Sequence, residues 1–525
     1  MGFRGGIMEI PIGFDGMIGS QAHPLVTPTR LIQTDNIEYG SGVIRKEGGA
    51  DKYNSTAVSG SAGILGGWDW WPDASTQRMV VVTDTSRMFK DSGGATFPDT
   101  LTTAIAAPTD IPIFVEGGKE AAANNKKLFM LTGTNAVHVL SADAATTYTI
   151  SGAPADWTGT NQPVTGCNHA GRFWAAGNAN DPHRVYYSST TNHELFSGAT
   201  SGTIAVFPGE GMGIVSIVSF KGLLVVFKRP AGIYVINTTS NTVADWAVAR
   251  LSKEIGLAGP GAACVIPDDI LFLDAGGEFN LISAIQEFGN IRSKNLSTVL
   301  ELTDFLHDNI NFSAINKTQS VFYADRREAH FFVPSSGSTR PNMRMVFDLK
   351  RELPRFRTSA RDSGHSIWLR DAGNNIKPYY GDDDGFVWEM DKTDKDKDST
   401  GYNGMFQTPH LDFSHIDPKL ATKRKSGMFL EVLTQPQGNW NLSVGVYWDG
   451  DLTQAVQFNM GSAGAALGTF TLGTDALAQD QILNRKKRIT GSGRRLSLQG
   501  SNSGSGQDFA VSKFLVHYKV NDERE

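Results

Sequence analysis

GLLVVFK, residues 222–228, decides how the rest of the chain is read. An unbroken apolar run this short, opened by glycine and closed before KRP, is strand chemistry: too brief for a buried helix and bounded by turn residues. Similar runs recur along the chain: RMVVVTD (78–84), KLFMLTG (127–133), GRFWAAG (171–177), DILFLDAGG (269–277) and SVFYADRR (320–327). Their spacing is roughly 45–50 residues, the period of four-stranded propeller blades. The expectation is an all-β chain whose middle part, residues 54–391, is a β-propeller of about six blades.

Around this repeat the chain divides further. Residues 1–53 are turn-rich and irregular and read as an extended N-terminal arm. The stretch 392–404, within DKTDKDKDSTGYNG, reads as a charged linker. Beyond it, KSGMFLEVLTQ, WNLSVGVYWDG and DFAVSKFLVHYKV alternate as half-buried strands do. Residues 405–525 are therefore expected to form an antiparallel sandwich or barrel, interrupted by a long Ala/Gly/Thr-rich loop at 459–479. Helical periodicity is scarce; NLSTVLELTDFLHDNI (295–310) is the best candidate, with Asn295 or Ser297 as its cap.

The totals agree with this division. A chain of 525 residues exceeds one ordinary core, and 40% apolar with 19% charged residues describes a globular protein. The 57 glycines favour many tight turns. A net charge of −6 argues against an overall electrostatic grip on nucleic acid or an anionic membrane, leaving local basic patches open. Cys167 and Cys264 are two isolated thiols, too few for a disulfide framework or a structural zinc site, and read as buried apolar residues of a protein made in a reducing cytoplasm. No stretch of about 18 apolar residues occurs, so no membrane span is expected. The opening MGFRGGIMEIPIGFDG has no sustained apolar run, so no secretory leader is expected.

The residues that invite a chemical reading are few. KPYYGDDDGFVWEMD (377–391) looks like a metal cage, but an EF-hand register with Gly385 in the glycine slot puts Tyr380 at the first ligand and Asp391 at the closing glutamate. Asp382, Asp383 and Asp384 are thus expected as exposed turn positions, with Asp384–Gly385 at a hairpin tip. Asp394, Asp396 and Asp398 have the D-x-D-x-D spacing, yet Ser399 replaces the turn glycine and Met405 the glutamate. Phosphate-loop, zinc-helix and nucleophile-elbow motifs are missing from the sequence. No catalytic residue, metal ligand or cofactor is expected. KDSGGATF (90–97) resembles the Asp-box of sialidase-like propellers, a hairpin element. One basic run stands out: Arg485, Lys486, Lys487 and Arg488, followed by Arg494 and Arg495. It would meet DNA phosphates or an acidic partner, or be a solvated hairpin. Trp68, Trp70 and Trp71 in GGWDWWPD pack a blade, or else stack on sugar rings.

An ordered series of motifs carries a resemblance. TPTRLIQTDNIEYGSGVIRKEGGADKY (27–53), with its R-K-x-G-G pattern, is followed by GRFWAAGNANDPHRVYYSSTTNHELF (171–196) and SIVSFKGLLVVFKRPAGIYVI (216–236). Then come SKEIGLAGPGAACVIPDDILFLDAGGEFNLIS (252–283), MRMVFDLKRELPRF (343–356), YYGDDDGFVWEMD (379–391), TKRKSGMFLEV (422–432) and GRRLSLQGSNSGSGQDFAVSKFLVHYKV (493–520). The series resembles the tail nozzle proteins of short-tailed bacteriophages, also called packaged-DNA stabilisation proteins. The resemblance implies a structural virion protein, made in the host bacterial cytoplasm. It would join its own copies in a six-fold ring below the portal and adaptor, contact tail fibre or spike proteins, and touch genomic DNA transiently in the channel. The alternative is a propeller-based tail-tip protein that binds or degrades host surface glycans.

Overall fold

The computed structural model describes residues 5–521 apart from 13–14, 20–26, 41, 59–61, 86, 94, 102–110, 119–125, 211–212, 241, 284–294, 352, 360–363, 371–375 and 462–481. The middle of the chain forms small antiparallel sheets in succession, each a meander in which sequential strands pair. Blade 1 holds Ile64–Trp70, Arg78–Thr83, Arg87–Lys90 and Asp99–Thr100; blade 2 holds Ile113–Gly117, Lys127–Leu131, His138–Ser141 and Tyr148–Thr149. Blade 3 starts at Thr165–His169, blade 4 at Ile214–Phe220, blade 5 at Ala263–Val265, blade 6 at Gln319–Tyr323 and blade 7 at His365–Arg370.

From blade 2 to blade 7 the first strands of successive blades lie side by side, and the first strand of blade 7 meets that of blade 1. Apolar clusters fill the gaps between blades. Trp70, Val80, Phe114 and Leu128 lie between blades 1 and 2, and Ile64, Val81, Ile367 and Tyr379 between blades 7 and 1. Phe129 of blade 2 stacks on Phe173 of blade 3 at 4.5 Å between centroids; rings buried like this contribute about 2–3 kcal/mol each. Inner strands converge on the axis, and a Cβ at Gly67 would come within 2.9 Å of the Ile367 side chain. The second glycine of GGWDWW, which also meets the Val80 carbonyl at 2.9 Å, is thus a packing requirement. The protein is a β-propeller with an attached β domain.

Seven blades are described, one more than the roughly six expected. Two features hid the seventh. SVFYADRR is the first strand of its blade, whereas the second strand is Glu328–Pro334, so the count slipped out of phase. The equivalent strand of blade 7, Ile376–Gly381, reads IKPYYG and is not an apolar run. Among the described residues blade 5 shows three strands, and the helical segment at 296–309 stretches the spacing. That segment is two short helices, Leu296–Val299 and Thr303–Asn309, rather than one. Asn295 caps the first by accepting the Thr298 N–H at 2.6 Å. Between them Glu301 takes φ +58° and its carbonyl accepts the Gly19 N–H.

The N-terminal residues do not form an arm outside the sheets. Gly49–Lys52 pairs with Val387–Lys392 as the fourth strand of blade 7 and closes the propeller. Gly5–Pro11, Ile37–Tyr39 and Ile44–Lys46 join one sheet of the C-terminal sandwich with Arg424–Thr434, Leu483–Arg488, Ser492–Gly493 and Ala510–Asn521. Gln33–Asp35 joins the other, with Gly404–Gln407, Asn441–Trp448, Asp451–Asn459 and Leu496–Asn502. Met8, Ile10, Leu430, Val446, Phe406 and Phe514 share the core between them. The physical reason lies in GIMEIP: it alternates, and Met8 and Ile10 are completely buried. From residue 462 on, the expected loop at 459–479 lies outside the described residues.

The seam between propeller and sandwich is ionic. Arg357 bridges Glu47 and Glu328, both at 2.8 Å, and Arg344 also pairs with Glu47. Arg326 binds Glu38 at 2.7 Å and Asp391, while Lys395 reaches Glu38 at 3.5 Å and Asp508 at 3.8 Å. Burial alone would raise the Glu328 carboxyl; Arg357 and a hydrogen bond from His330 outweigh it and hold the group well below the usual carboxylate range. Lys46, fully buried, donates to the Gly504 carbonyl at 2.9 Å and lies over the Tyr402 ring. The R-K-x-G-G pattern at 45–49 is therefore a joint: a lysine for the sandwich, a glutamate for blade 6 and glycines against Asp391 and Asp394.

Candidate functional site

The inner strands of blades 7, 1, 2 and 3 all end around one cavity of about 640 Å³. Its lining includes Trp68, Asp69, Trp71 and Asp73 from blade 1, Phe114 and Glu116 from blade 2, Asn168 from blade 3 and Arg370 from blade 7, with Lys126 beside them. Because these residues sit near the C-terminal ends of strands that surround the axis, the cavity opens at one end of the central channel.

Local bonds fix the walls. Gln77 donates to Asp69 Oδ1 at 2.8 Å and to the Arg370 carbonyl at 2.7 Å, and the Arg370 N–H donates to Asp69 Oδ2 at 3.0 Å, which ties blade 1 to blade 7. Burial pushes the Asp69 carboxyl above its ordinary value, against the pull of bonds from Gln77 and the Arg370 N–H. Asp73 is the opposite case. Its Oδ1 accepts from the Ser75 N–H, the Ser75 hydroxyl and the Thr76 N–H at 2.7–2.8 Å, which holds it down at about 2. Trp68 donates Nε1–H to Glu116 Oε1 at 2.9 Å, and Asn168 donates to the Glu116 carbonyl at 3.1 Å.

The three sequence-flagged tryptophans separate. Trp70 is completely buried between blades 1 and 2 and donates to the Ala142 carbonyl at 3.0 Å. Trp68 leans on the same core while lining the cavity, and Trp71 lines it. Cys167 also reaches the cavity and is half-buried, whereas Cys264 is buried as expected. The Asp-box-like segment turns between the third and fourth strands of blade 1. There Asp91 accepts the Met79 N–H at 2.9 Å and the Tyr53 hydroxyl at 2.6 Å, a hairpin role.

The basic run is not one patch. Residues 483–488 form an edge strand of the larger sandwich sheet, and its alternation sends neighbours to opposite faces. Lys486 stands opposite Glu431 on the outer face and pairs with it at 2.8 Å. Together with Asn484 and His517 it holds the Glu431 carboxyl at about 2. Arg485 and Lys487 stand opposite Val432 and Leu430, whose side chains are core, and Arg485 donates to the Gly461 carbonyl at 2.6 Å. Lys487 and Arg488 are exposed. Arg494 and Arg495 occupy a separate turn, where both backbone N–H groups donate to Asp449 at 2.8 Å and the side chains face solvent.

The aspartate triplet is a turn between Ile376–Gly381 and Val387–Lys392, with Gly385 at φ +84°. Its members are not equivalent, however. Asp382 is half-buried and accepts from the Asp384 N–H at 3.0 Å, the Phe386 N–H at 2.7 Å and Trp388 Nε1–H at 2.7 Å. Asp383 pairs with Arg340, and Asp384 is exposed. The second acidic group assembles differently from its sequence spacing: Asp394 and Asp396 meet Asp51 of the closing strand, with carboxylate oxygens within 4.8 Å of one another. Asp398 instead lies 3.6 Å from Lys52, and Lys392 lies 3.6 Å from Asp51.

Sequence reading passed over Glu116, Asn168, Lys126 and Arg370, since nothing local marks them. Glu116, Asn168 and Arg370 meet because each lies near the end of its blade's first strand, and Lys126 joins them from just before the second strand of blade 2.

No family model matches the sequence, and no curated protein does. Solved structures with similarity to the chain include YCF48 bound to D1 peptide, at 10% identity and TM-score 0.40 over 68% of this chain and 99% of that one. The RRP9 WD40 repeats match at 6% identity and TM-score 0.40, over 66% and 99%. The computationally designed Ika8 protein matches at 8% identity and TM-score 0.34, over 73% and 99%.

Proposed function

We propose that the chain is a structural subunit of a short-tailed bacteriophage tail: a nozzle protein. In this reading it assembles with its own copies as a six-fold ring below the portal and adaptor. The ring continues the DNA channel, and retains and then releases the packaged genome. The observation that carries the reading is the ordered series of motifs from residue 27 to residue 520. Its first member, RKEGG, supplies the joint between propeller and sandwich, a role that a weak turn motif would not need to fill. The edge strand 483–488 presents Lys487 and Arg488 to solvent as surfaces for an acidic neighbour or for passing phosphates.

The test uses DNA-filled phage heads that lack only this component. Purified protein is added, the portal vertex is imaged by cryo-electron microscopy and DNA retention is assayed. Ring density with the genome retained is the expected outcome. An unchanged vertex with DNA still leaking would overturn the reading.

A further inference from the structure

We infer that the cavity at the end of the propeller channel is a binding site for a neutral oligosaccharide. Its chemistry is a match on two counts. Two indoles, Trp68 and Trp71, border a space of about 640 Å³, within the usual range of roughly 300–1,000 Å³ for small-ligand sites. The apolar C–H face of a pyranose packs on such a ring.

Around the indoles stand acceptors that the protein positions but does not fully use. Glu116 spends Oε1 on Trp68, and among the described residues no donor reaches Oε2. Asp73 is fixed through Oδ1 by Ser75 and Thr76 at the rim. Asn168 spends its amide N–H on the Glu116 carbonyl, and among the described residues no donor reaches its Oδ1. Glu116 and Asn168 are thereby each held in place with one oxygen to offer. Lys126 adds a donor from blade 2.

Charge decides between ligand classes. A cation would suit the indoles and carboxylates but would face Lys126 and Arg370. A polyanion would suit those two but would face Asp73 and Glu116. An uncharged ring of hydroxyls, each both donor and acceptor, meets every one of these groups without a like-charge contact. The site does not depend on the nozzle reading: a ring subunit need bind no sugar, and a protein inactive at the portal vertex retains this cavity.

The test is titration of the full-length protein with cellotetraose, maltotetraose, chitotetraose and a rhamnose-rich bacterial O-antigen oligosaccharide, followed by tryptophan emission and by ligand-observed NMR. Tetramethylammonium and a short polyphosphate serve as charged probes. At least one oligosaccharide is expected to saturate the signal with Kd below about 1 mM. Trp71→Ala and Asn168→Ala are each expected to weaken it by about tenfold or more, with the melting temperature unchanged. Asn168→Ala keeps the test decisive if Trp71→Ala fails to fold. No saturation by any of the four sugars, equal affinity in both folded variants, or preference for either charged probe would each overturn the proposal.

Discussion

Single side chains divide sharply between those that hold the fold and those that decorate it, and neighbours can fall on opposite sides. Asp382 and Asp384 belong to one acidic triplet. Only the first caps the turn with three bonds, so Asp382→Ala is expected to cost about 2 kcal/mol. Asp384→Asn is expected to change stability by under about 0.5 kcal/mol; urea unfolding of the two variants checks both. His365 is a second case. Burial, with Arg340 nearby, pushes its imidazole down to about 3, and its Nδ1 has no protein partner. The unfolded chain takes up this proton near pH 6.5 while the folded one refuses it until near pH 3. Stability is therefore lost as pH falls through that window, by up to about 1.4 kcal/mol per unit for this one group. His365→Gln is expected to flatten the decline in melting temperature between pH 6.5 and pH 4; an unchanged slope would show that other groups carry it.

At the scale of elements, strand character was legible and partnership was not. The run GLLVVFK is the second strand of blade 4, Leu223–Lys228, as its composition says. GIMEIP alternates just as clearly, yet nothing near it reveals that its partner is Lys513–Lys519. The basic run shows the same limit: its charges are visible in sequence, but their split over two faces follows from pairing with Leu430–Val432. The cavity was the least legible feature. Its walls come from four blades, and only the tryptophans advertised themselves. The edge strand also makes a prediction of its own. Among the described residues this strand pairs on one side only, and exposed lysines and arginines on such an edge discourage pairing with another chain. Replacing Lys487 and Arg488 by threonine and valine should leave the melting temperature within a few degrees. It should also add a self-associated species in sedimentation velocity; a profile identical to the unmodified protein would count against this role for the charges.

The whole molecule is two bodies sewn together by one segment. Residues 33–52 supply strands to both sandwich sheets and the closing strand of blade 7, and Glu38 and Glu47 anchor the ionic seam. Propeller and sandwich should therefore melt together, giving one calorimetric transition in the intact chain. A chain begun at residue 54 lacks the fourth strand of blade 7 and exposes Val321, Trp388 and Met390, which pack around Ala50. It is expected to aggregate, or to melt at least about 10 °C lower. Ala50→Asp in the full chain should reproduce part of that loss. Two separate transitions in the intact protein would overturn this account.

The pairing of Gly5–Pro11 with Lys513–Lys519 has a consequence for synthesis. Glu9 and Lys513, 504 positions apart, are neighbours 2.9 Å across that pair. The ribosome makes Gly5–Pro11 long before its partner Lys513–Lys519. Every blade can be translated before Gly5–Pro11 has a strand to pair with, so for this strand the usual order, N-terminal segment first, is unavailable. The nascent chain must carry Gly5–Pro11 unmatched until Lys513–Lys519 emerges, after Gly49–Lys52 and Gln33–Asp35 have already met Val387–Lys392 and Gly404–Gln407.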